Sequence, residues 1–140
     1  MSSSKIFIDT SFLLSFVDRT DFNHLKVTTI MEKIARLSMS AYTSSLVVQL
    51  AVSRMDKDLG AVVAQDFFQA MIDSNIQILF PDHNDFSNAL KLIKSGHGRK
   101  VDLTEIINCL LMEKASIKEV LSTNPWHNLL GTQVANLMYT

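Results

Sequence analysis

The chain has 140 residues, a formal net charge of −1 and a hydrophobic content of 47%, and it contains one cysteine. This length predicts a single domain over residues 1–140, and the balanced charge excludes a protein that attracts polyanions over its whole surface. The lone Cys109 excludes a disulfide framework and a zinc site built from thiolates, and the high apolar content indicates either a rich core or a homo-oligomer interface.

Short apolar runs that are typical of buried strands alternate along the chain with segments of helical periodicity. In chain order, the sequence predicts a strand at 5–8, a helix capped by Thr10-Ser11, a helix at 24–37, a strand at 41–44, helices at 46–59 and 62–72, a strand at 76–80, helices at 82–93 and 103–115, a strand at 118–122 and an edge strand at 133–138. For the helix at 46–59 we expect Leu46, Leu50, Ser53 and Met55 to face inward. No run of about 20 apolar residues is present, so we expect no membrane span and a cytoplasmic protein.

Strands separated by helices imply crossover connections and a parallel sheet, so the predicted class is α/β, with a short, mostly parallel sheet of four or five strands between helices. Sites in such folds lie at the carboxyl ends of the strands, where the strand order switches. Four polar residues occupy such positions: Asp9 after the first strand, Gln49 in the helix after the second, Glu105 in the first turn of the apolar helix and Asn124 after the fourth strand. We expect these four side chains to face one pocket.

The order and the amino-acid sequence of these segments resemble those of a PIN domain, and in particular of the toxin nuclease of VapBC toxin–antitoxin pairs. The resemblance covers nearly the whole chain and is carried by segments 6–11 (IFIDTS), 43–50 (TSSLVVQL), 101–106 (VDLTEI) and 121–124 (LSTN). It implies a PIN-like three-layer domain. The acidic quartet of the family reads here as Asp9, Gln49, Glu105 and Asn124, so two positions hold carboxylates and two hold amides.

The resemblance implies a divalent-metal-dependent endoribonuclease that hydrolyses RNA phosphodiesters with Mg²⁺ or Mn²⁺. Asp9 and Glu105 would be the catalytic carboxylates and metal ligands, and Gln49 and Asn124 would complete the metal site through their amides. The resemblance also implies residues that bind the substrate by contacting water or phosphate. These are Thr10, Ser11, Arg99 and Lys100. Since two negative charges are missing, we expect a weak or single-metal site and an attenuated enzyme. The resemblance also implies a homodimer and a small antitoxin that covers the pocket.

Other interpretations of the same residues stay open. The two amides also fit a catalytically inactive PIN-like module that serves in binding or scaffolding, and an unrelated α/β phosphohydrolase or regulatory domain is a third alternative. Asp9 has the position of a helix cap, and the spacing of Asp102 and Glu105 is that of a capping box. Trp126 either stacks on a base or packs its loop against the core. The four histidines show no metal-ligand spacing and are predicted to lie on the surface.

Overall fold

Strands and helices follow one another in the order that the apolar patterning predicts. The computed structural model describes residues 4–96 and 101–139. Within these residues the strands are β1 (Lys5–Ile8), β2 (Ser40–Ser44), β3 (Gln77–Leu79), β4 (Glu119–Leu121) and β5 (Gln133–Val134). The α-helices are α1 (Thr10–Val17), α2 (His24–Arg36), α3 (Ser45–Leu59), α4 (Ala61–Asp73), α5 (His83–Lys94) and α6 (Leu103–Lys114). Two short 3-10 helices, Leu129–Gly131 and Asn136–Tyr139, flank β5.

The five strands form one sheet in the order β3-β2-β1-β4-β5, and every neighbouring pair is parallel. This confirms the predicted α/β class with a parallel sheet. From β1 the chain moves outward to β2 and β3, and it then returns to place β4 on the other side of β1. The strand order therefore switches between β1 and β4, where Ile8 pairs with Leu121. The carboxyl ends of these two strands are the expected place for a site.

Helices cover both faces of this sheet. The larger hydrophobic cluster contains buried residues of α1, α2, α3 and α4 together with the central strands. A smaller cluster is built from α5 and α6, with Ala89, Ile106, Ile107, Leu110 and Leu111. Because β1 is covered on both faces, its residues Ile6, Phe7 and Ile8 are all fully buried, as is usual for a strand inside a parallel sheet. The sheet therefore forms the middle of three layers, as predicted.

The inner face of α3 differs from the predicted one. Val47, Val48, Ala51 and Met55 are buried, whereas Leu50 is 41% exposed and Ser53 lies at the surface. Met55 is buried and Leu46 is half-buried against Ala89, Ile106 and the rest of the smaller cluster, as predicted, whereas the prediction is wrong for Leu50 and Ser53. The helix starts at the carboxyl end of β2, where the Ser44 hydroxyl accepts the backbone N–H of Val47 at 3.2 Å. This cap fixes which residues of the first turn point into the core.

The chain end also differs from prediction. The edge strand expected at 133–138 pairs only over Gln133–Val134, and a 3-10 helix follows at Asn136–Tyr139. The last sheet-like bond is the backbone N–H of Ala135 to the carbonyl of Val120 at 2.9 Å. Within residues 4–96 and 101–139, none of the helices has the length and apolar character to cross a membrane.

Candidate functional site

A cavity of about 470 Å³ opens at the carboxyl ends of β1 and β4. It is lined by Asp9 and Thr10 after β1, by Glu105 in the first turn of α6, and by Asn124 in the loop after β4. Four of the residues predicted from the sequence thus share one cavity at the switch in strand order. Asp102, which precedes α6, lies in the same wall.

Asp9 is held by two buried serine hydroxyls. The hydroxyl of Ser122, directly after β4, donates to Asp9 Oδ2 at 3.0 Å, and Ser11 Oγ lies 3.5 Å from the same oxygen. The two serine oxygens are 3.1 Å apart. Asp9 does occupy the N-cap position of α1, but its side chain makes no capping bond there. The carboxylate is therefore oriented toward the site rather than used to start the helix.

The environment of Asp9 disfavours its negative charge. Burial raises the pKa of Asp9 above the model-compound value of 3.8, and the charge of Glu105 acts in the same direction. Hydrogen bonds from the Thr10 backbone and from the Ser122 and Ser11 hydroxyls lower the pKa, but the net shift is upward. A bound cation would relieve this penalty, because an opposite charge favours the ionised form.

Glu105 is held by the loop that follows β4. Its Oε2 lies 2.9 Å from His127 Nδ1 and accepts the backbone N–H of His127 at 3.2 Å. The capping of α6 is done by Asp102, whose carboxylate accepts the Thr104 N–H at 2.7 Å. Glu105 is thus a cavity residue with its own partner, rather than the second half of a capping box. His127 is exposed, as predicted, and it also lines the cavity.

The wall that α3 contributes is apolar. Leu50 lines the cavity, whereas Gln49 is exposed and is not among its lining residues. Gln49 was expected in the pocket, but the α3 residue that lines it is Leu50, one position later in the chain. Successive residues of a helix point about 100° apart, so a shift of one position turns a side chain away from a site. A leucine thus stands where the amide of Gln49 was expected from α3.

The loop between β4 and β5 is stabilised by partly buried polar contacts. Trp126 Nε1 donates to Thr132 Oγ1 at 3.0 Å, and the indole packs against the larger hydrophobic cluster. This arrangement agrees with the packing interpretation of Trp126. Asn124 lies at the other end of the loop, and its backbone N–H donates to Ser122 Oγ at 3.1 Å. The serine that holds Asp9 therefore also fixes the start of the loop.

The residues predicted to contact phosphate do not all line the cavity that contains Asp9 and Glu105. Ser11 lies in the Asp9 network and lines an adjoining cavity of about 500 Å³, together with Arg54 of α3. Arg54 follows Leu50 by one helical turn and was not recognised from the sequence. Arg99 and Lys100 lie outside the described residues.

The residues of the cavity fit a weakly held hard cation better than a tight one. Among residues 4–96 and 101–139, no group of three or more histidine, cysteine or acidic residues has the arrangement of a metal site. Asp9 and Glu105 do share one cavity, and the amide of Asn124 adds a neutral oxygen. Mg²⁺ is commonly held by one or two carboxylates with retained waters and substrate phosphates. The donor set fits that mode of binding.

One solved structure with a similar fold is the crystal structure of VapC20 from Mycobacterium tuberculosis, described as a Sarcin-Ricin loop cleaving toxin. The alignment has a TM-score of 0.74 and 16% sequence identity, and it covers 85% of this chain and 89% of that one. No protein-family model and no curated protein sequence matches the chain. At this identity the similarity is one of fold, and it agrees with the arrangement of strands around the cavity.

Proposed function

We propose that this chain, which has the fold of a VapC-type PIN domain, is an endoribonuclease that hydrolyses RNA phosphodiesters with Mg²⁺ or Mn²⁺ at an attenuated site. The observation that carries the proposal is the convergence of Asp9 and Glu105 on one cavity where the strand order switches. RNA as the substrate class is supported by the similarity to VapC20, a toxin named for cleaving a Sarcin-Ricin loop. An antitoxin that covers this cavity is proposed on the same basis.

Asp9 and Glu105 would hold the cation, with Asn124 as a neutral third donor. A divalent ion, when bound, activates water as a nucleophile and neutralises the charge that builds on the phosphate. The site is attenuated for two physical reasons. Leu50 brings carbon rather than oxygen to the cavity wall, and Asn124 carries no charge, so the electrostatic attraction for a dication is reduced.

The chain's own residues keep both carboxylates in place. The Ser122 hydroxyl, with Ser11 beside it, fixes Asp9 Oδ2, and His127 fixes Glu105 Oε2 through two contacts. Each carboxylate then has its second oxygen for a cation or a water. Thr10 lies in the same wall, and its hydroxyl is proposed to bind water or phosphate. Arg99 and Lys100 stay predicted phosphate contacts.

Calorimetric titration with Mn²⁺ tests the metal site, and cleavage of a labelled single-stranded RNA tests the reaction. We expect the wild type to bind Mn²⁺ with a Kd on the order of a millimolar, and Asp9→Asn to lose both binding and cleavage. Asp56→Asn, an exposed change on α3, is the matched control and should behave as the wild type. Absence of Mn²⁺ binding to the folded wild type contradicts the metal-dependent reaction.

A second candidate function is a PIN-like module that binds without cleaving. The observations that favour it are the apolar Leu50 in the cavity wall and the engagement of Glu105 by His127. This candidate predicts that the wild type neither binds Mn²⁺ nor cleaves RNA. It also predicts that Leu50→Glu combined with Asn124→Asp restores Mn²⁺ binding, because that variant adds two carboxylates to those of Asp9, Asp102 and Glu105 in the cavity.

We further propose that the chain forms a homodimer through α5. Phe86, Leu90 and Ile93 follow one another at helical spacing along this helix, and each is 45–51% exposed. Phe80 before α5 and Leu103 at the start of α6 are also exposed, at 69% and 49%. Burial of such a stripe between two copies accounts for part of the high apolar content.

We also propose a cytoplasmic location, in keeping with the free, buried thiol of Cys109.

A further inference from the structure

A second cavity, of about 270 Å³, adjoins the acidic one and shares Asn124 and Pro125 with it. Its walls come from three separate parts of the chain. The start of α2 contributes Asn23 and Lys26, the segment after β4 contributes Thr123, and the final 3-10 helix contributes Tyr139. A ligand in this second cavity would therefore lie next to the cavity that Asp9 and Glu105 line.

The two cavities differ in charge. Asp9, Asp102 and Glu105 line the first cavity, whereas Lys26 is the one charged side chain among the described residues that line the second. Lys26 is exposed and forms no ion pair with any residue in the part of the chain that the structure describes. Its ammonium group is thus free to pair with an anion. The phosphates of a nucleic acid strand are anions of the right chemistry for this position.

The second cavity also offers an aromatic surface. Tyr139 is 75% exposed, so its ring is not used in the core, and the neighbouring Val134 and Met138 give the cavity an apolar side. Exposed aromatic rings bind unpaired bases by stacking, with little dependence on sequence. The amides of Asn23 and Asn124 add donors and acceptors that match the polar edges of a base.

We propose that the second cavity is a subsite for one nucleotide of single-stranded RNA, next to the phosphodiester held at Asp9 and Glu105. Lys26 pairs with the phosphate of this nucleotide, and Tyr139 stacks on its base. The base has to be unpaired to enter, which selects single strands or loops rather than regular duplexes. The subsite rests on the proposed ribonuclease function for the identity of its ligand.

Fluorescence anisotropy with a short labelled single-stranded RNA, measured in EDTA, tests the subsite without cleavage. We expect Lys26→Met to weaken binding by roughly 3- to 10-fold and to reduce the slope of log Kd against log salt by about 0.7, the value for one phosphate contact on a single strand. Tyr139→Leu should weaken binding by roughly tenfold without changing that slope, whereas Tyr139→Phe keeps the ring and the affinity. Lys91→Met, on α5 across the sheet, is the matched control for charge.

The outcomes separate this inference from the proposed reaction. Equal affinity of Lys26→Met, Tyr139→Leu and the wild type overturns the subsite, even where the wild type cleaves RNA in Mn²⁺. Equal binding of the wild type to a duplex of the same sequence also overturns it. Selective loss of binding in both variants, with no cleavage by the wild type, supports the subsite and contradicts hydrolysis.

Discussion

At the scale of single residues, Asp9 carries an electrostatic penalty that the fold only partly offsets. Its pKa in the folded protein is raised, chiefly by burial, above 3.8. The folded state therefore keeps a proton at pH values where the unfolded chain has released it. Between 3.8 and the raised pKa the folded protein binds more protons than the unfolded chain, so stability falls as the pH rises through this window.

Replacing Asp9 by Asn should therefore stabilise the protein while it removes activity. The amide keeps an oxygen for the Ser122 hydroxyl and carries no buried charge. We expect the free energy of unfolding of Asp9→Asn to exceed that of the wild type at pH 7, and its fall with rising pH above 3.8 to be shallower. Urea denaturation followed by circular dichroism at several pH values measures both quantities. A variant less stable than the wild type at pH 7 would contradict this account of the site.

Ser122 should set both the charge state of Asp9 and the start of the following loop. Its hydroxyl donates to Asp9 Oδ2 and accepts the N–H of Asn124. We expect Ser122→Ala to raise the pKa of Asp9 further and to lower the free energy of unfolding by about 1 kcal/mol. NMR titration of the Asp9 carboxyl carbon and urea denaturation check these effects. Ser53→Ala, an exposed change on α3, should leave the pKa of Asp9 unchanged.

Leu50 rather than Gln49 should control the affinity for metal. Leu50→Glu adds a carboxylate to those of Asp9, Asp102 and Glu105 in the wall of the cavity, and we expect it to tighten Mn²⁺ binding on the order of tenfold. Gln49→Glu adds the same charge at the preceding position, which is exposed outside the cavity, and should have little effect. Calorimetric titration of the two variants compares them directly. A larger gain from Gln49→Glu than from Leu50→Glu would reverse the assignment.

The hardest site residues to predict were those that contact residues distant in the sequence. Asp9, Glu105 and Asn124 follow a strand or begin a helix, so topology alone places them at the same edge. His127 and Ser122 act through contacts with residues 22 and 113 positions away, and nothing in the local sequence indicates those partners.

At the scale of secondary structure, the order and type of the elements could be predicted because the strands are short apolar runs and most helices have one apolar face. The helix α3 is the exception, since residues 46–52 (LVVQLAV) are apolar on nearly every side. Periodicity then cannot select the inner face, and the Ser44 cap and the position of β2 decide it. For the same reason, the sequence did not show that Leu50 rather than Gln49 points into the cavity.

The α5–α6 pair, which positions Glu105, is joined through a buried carboxylate. Asp85 exchanges capping-box bonds with Asp82 at 3.0 and 2.8 Å and accepts Lys114 Nζ of α6 at 2.8 Å. Burial raises the pKa of Asp85, but the bonds from Lys114 and Asp82 outweigh this and hold it below 3.8. The pair therefore contributes stability above pH 3.8, and that contribution is lost as the pH falls through the lowered pKa.

Lys114→Met should accordingly weaken the helix pair. We expect a loss of about 1 kcal/mol at pH 7, a modest value because the Lys114 side chain is half exposed to water. The loss should shrink toward low pH, where Asp85 is protonated in both proteins. Thermal or urea denaturation at pH 7 and at a series of lower pH values measures it, with the exposed Lys57→Met of α3 as control. A loss that is independent of pH would exclude the ion pair as its cause.

At the scale of the whole molecule, the exposed stripe on α5 should determine the oligomeric state. We expect Leu90→Glu to convert a dimer into a folded monomer, because a charge at the centre of an apolar interface is costly to bury. Sedimentation equilibrium gives the mass, and circular dichroism shows whether the fold is kept. Phe68→Glu, an equally exposed change on α4, is the control and should leave the dimer intact. A wild-type protein that sediments as a monomer contradicts the dimer itself.

The position of β4 in the chain also affects how the protein folds during its synthesis on the ribosome. The first three strands in the chain can pair as soon as Leu79 is made, but the partners that hold Asp9 and Glu105 lie at Ser122 and His127. A nascent chain thus has no assembled cavity until residues 119–127 emerge. During that interval β1, apolar throughout its inner residues, presents an unpaired edge of the kind that recruits other strands. The late strand that completes the cavity is therefore also the one that covers the exposed edge of β1 and protects it from aggregation during synthesis.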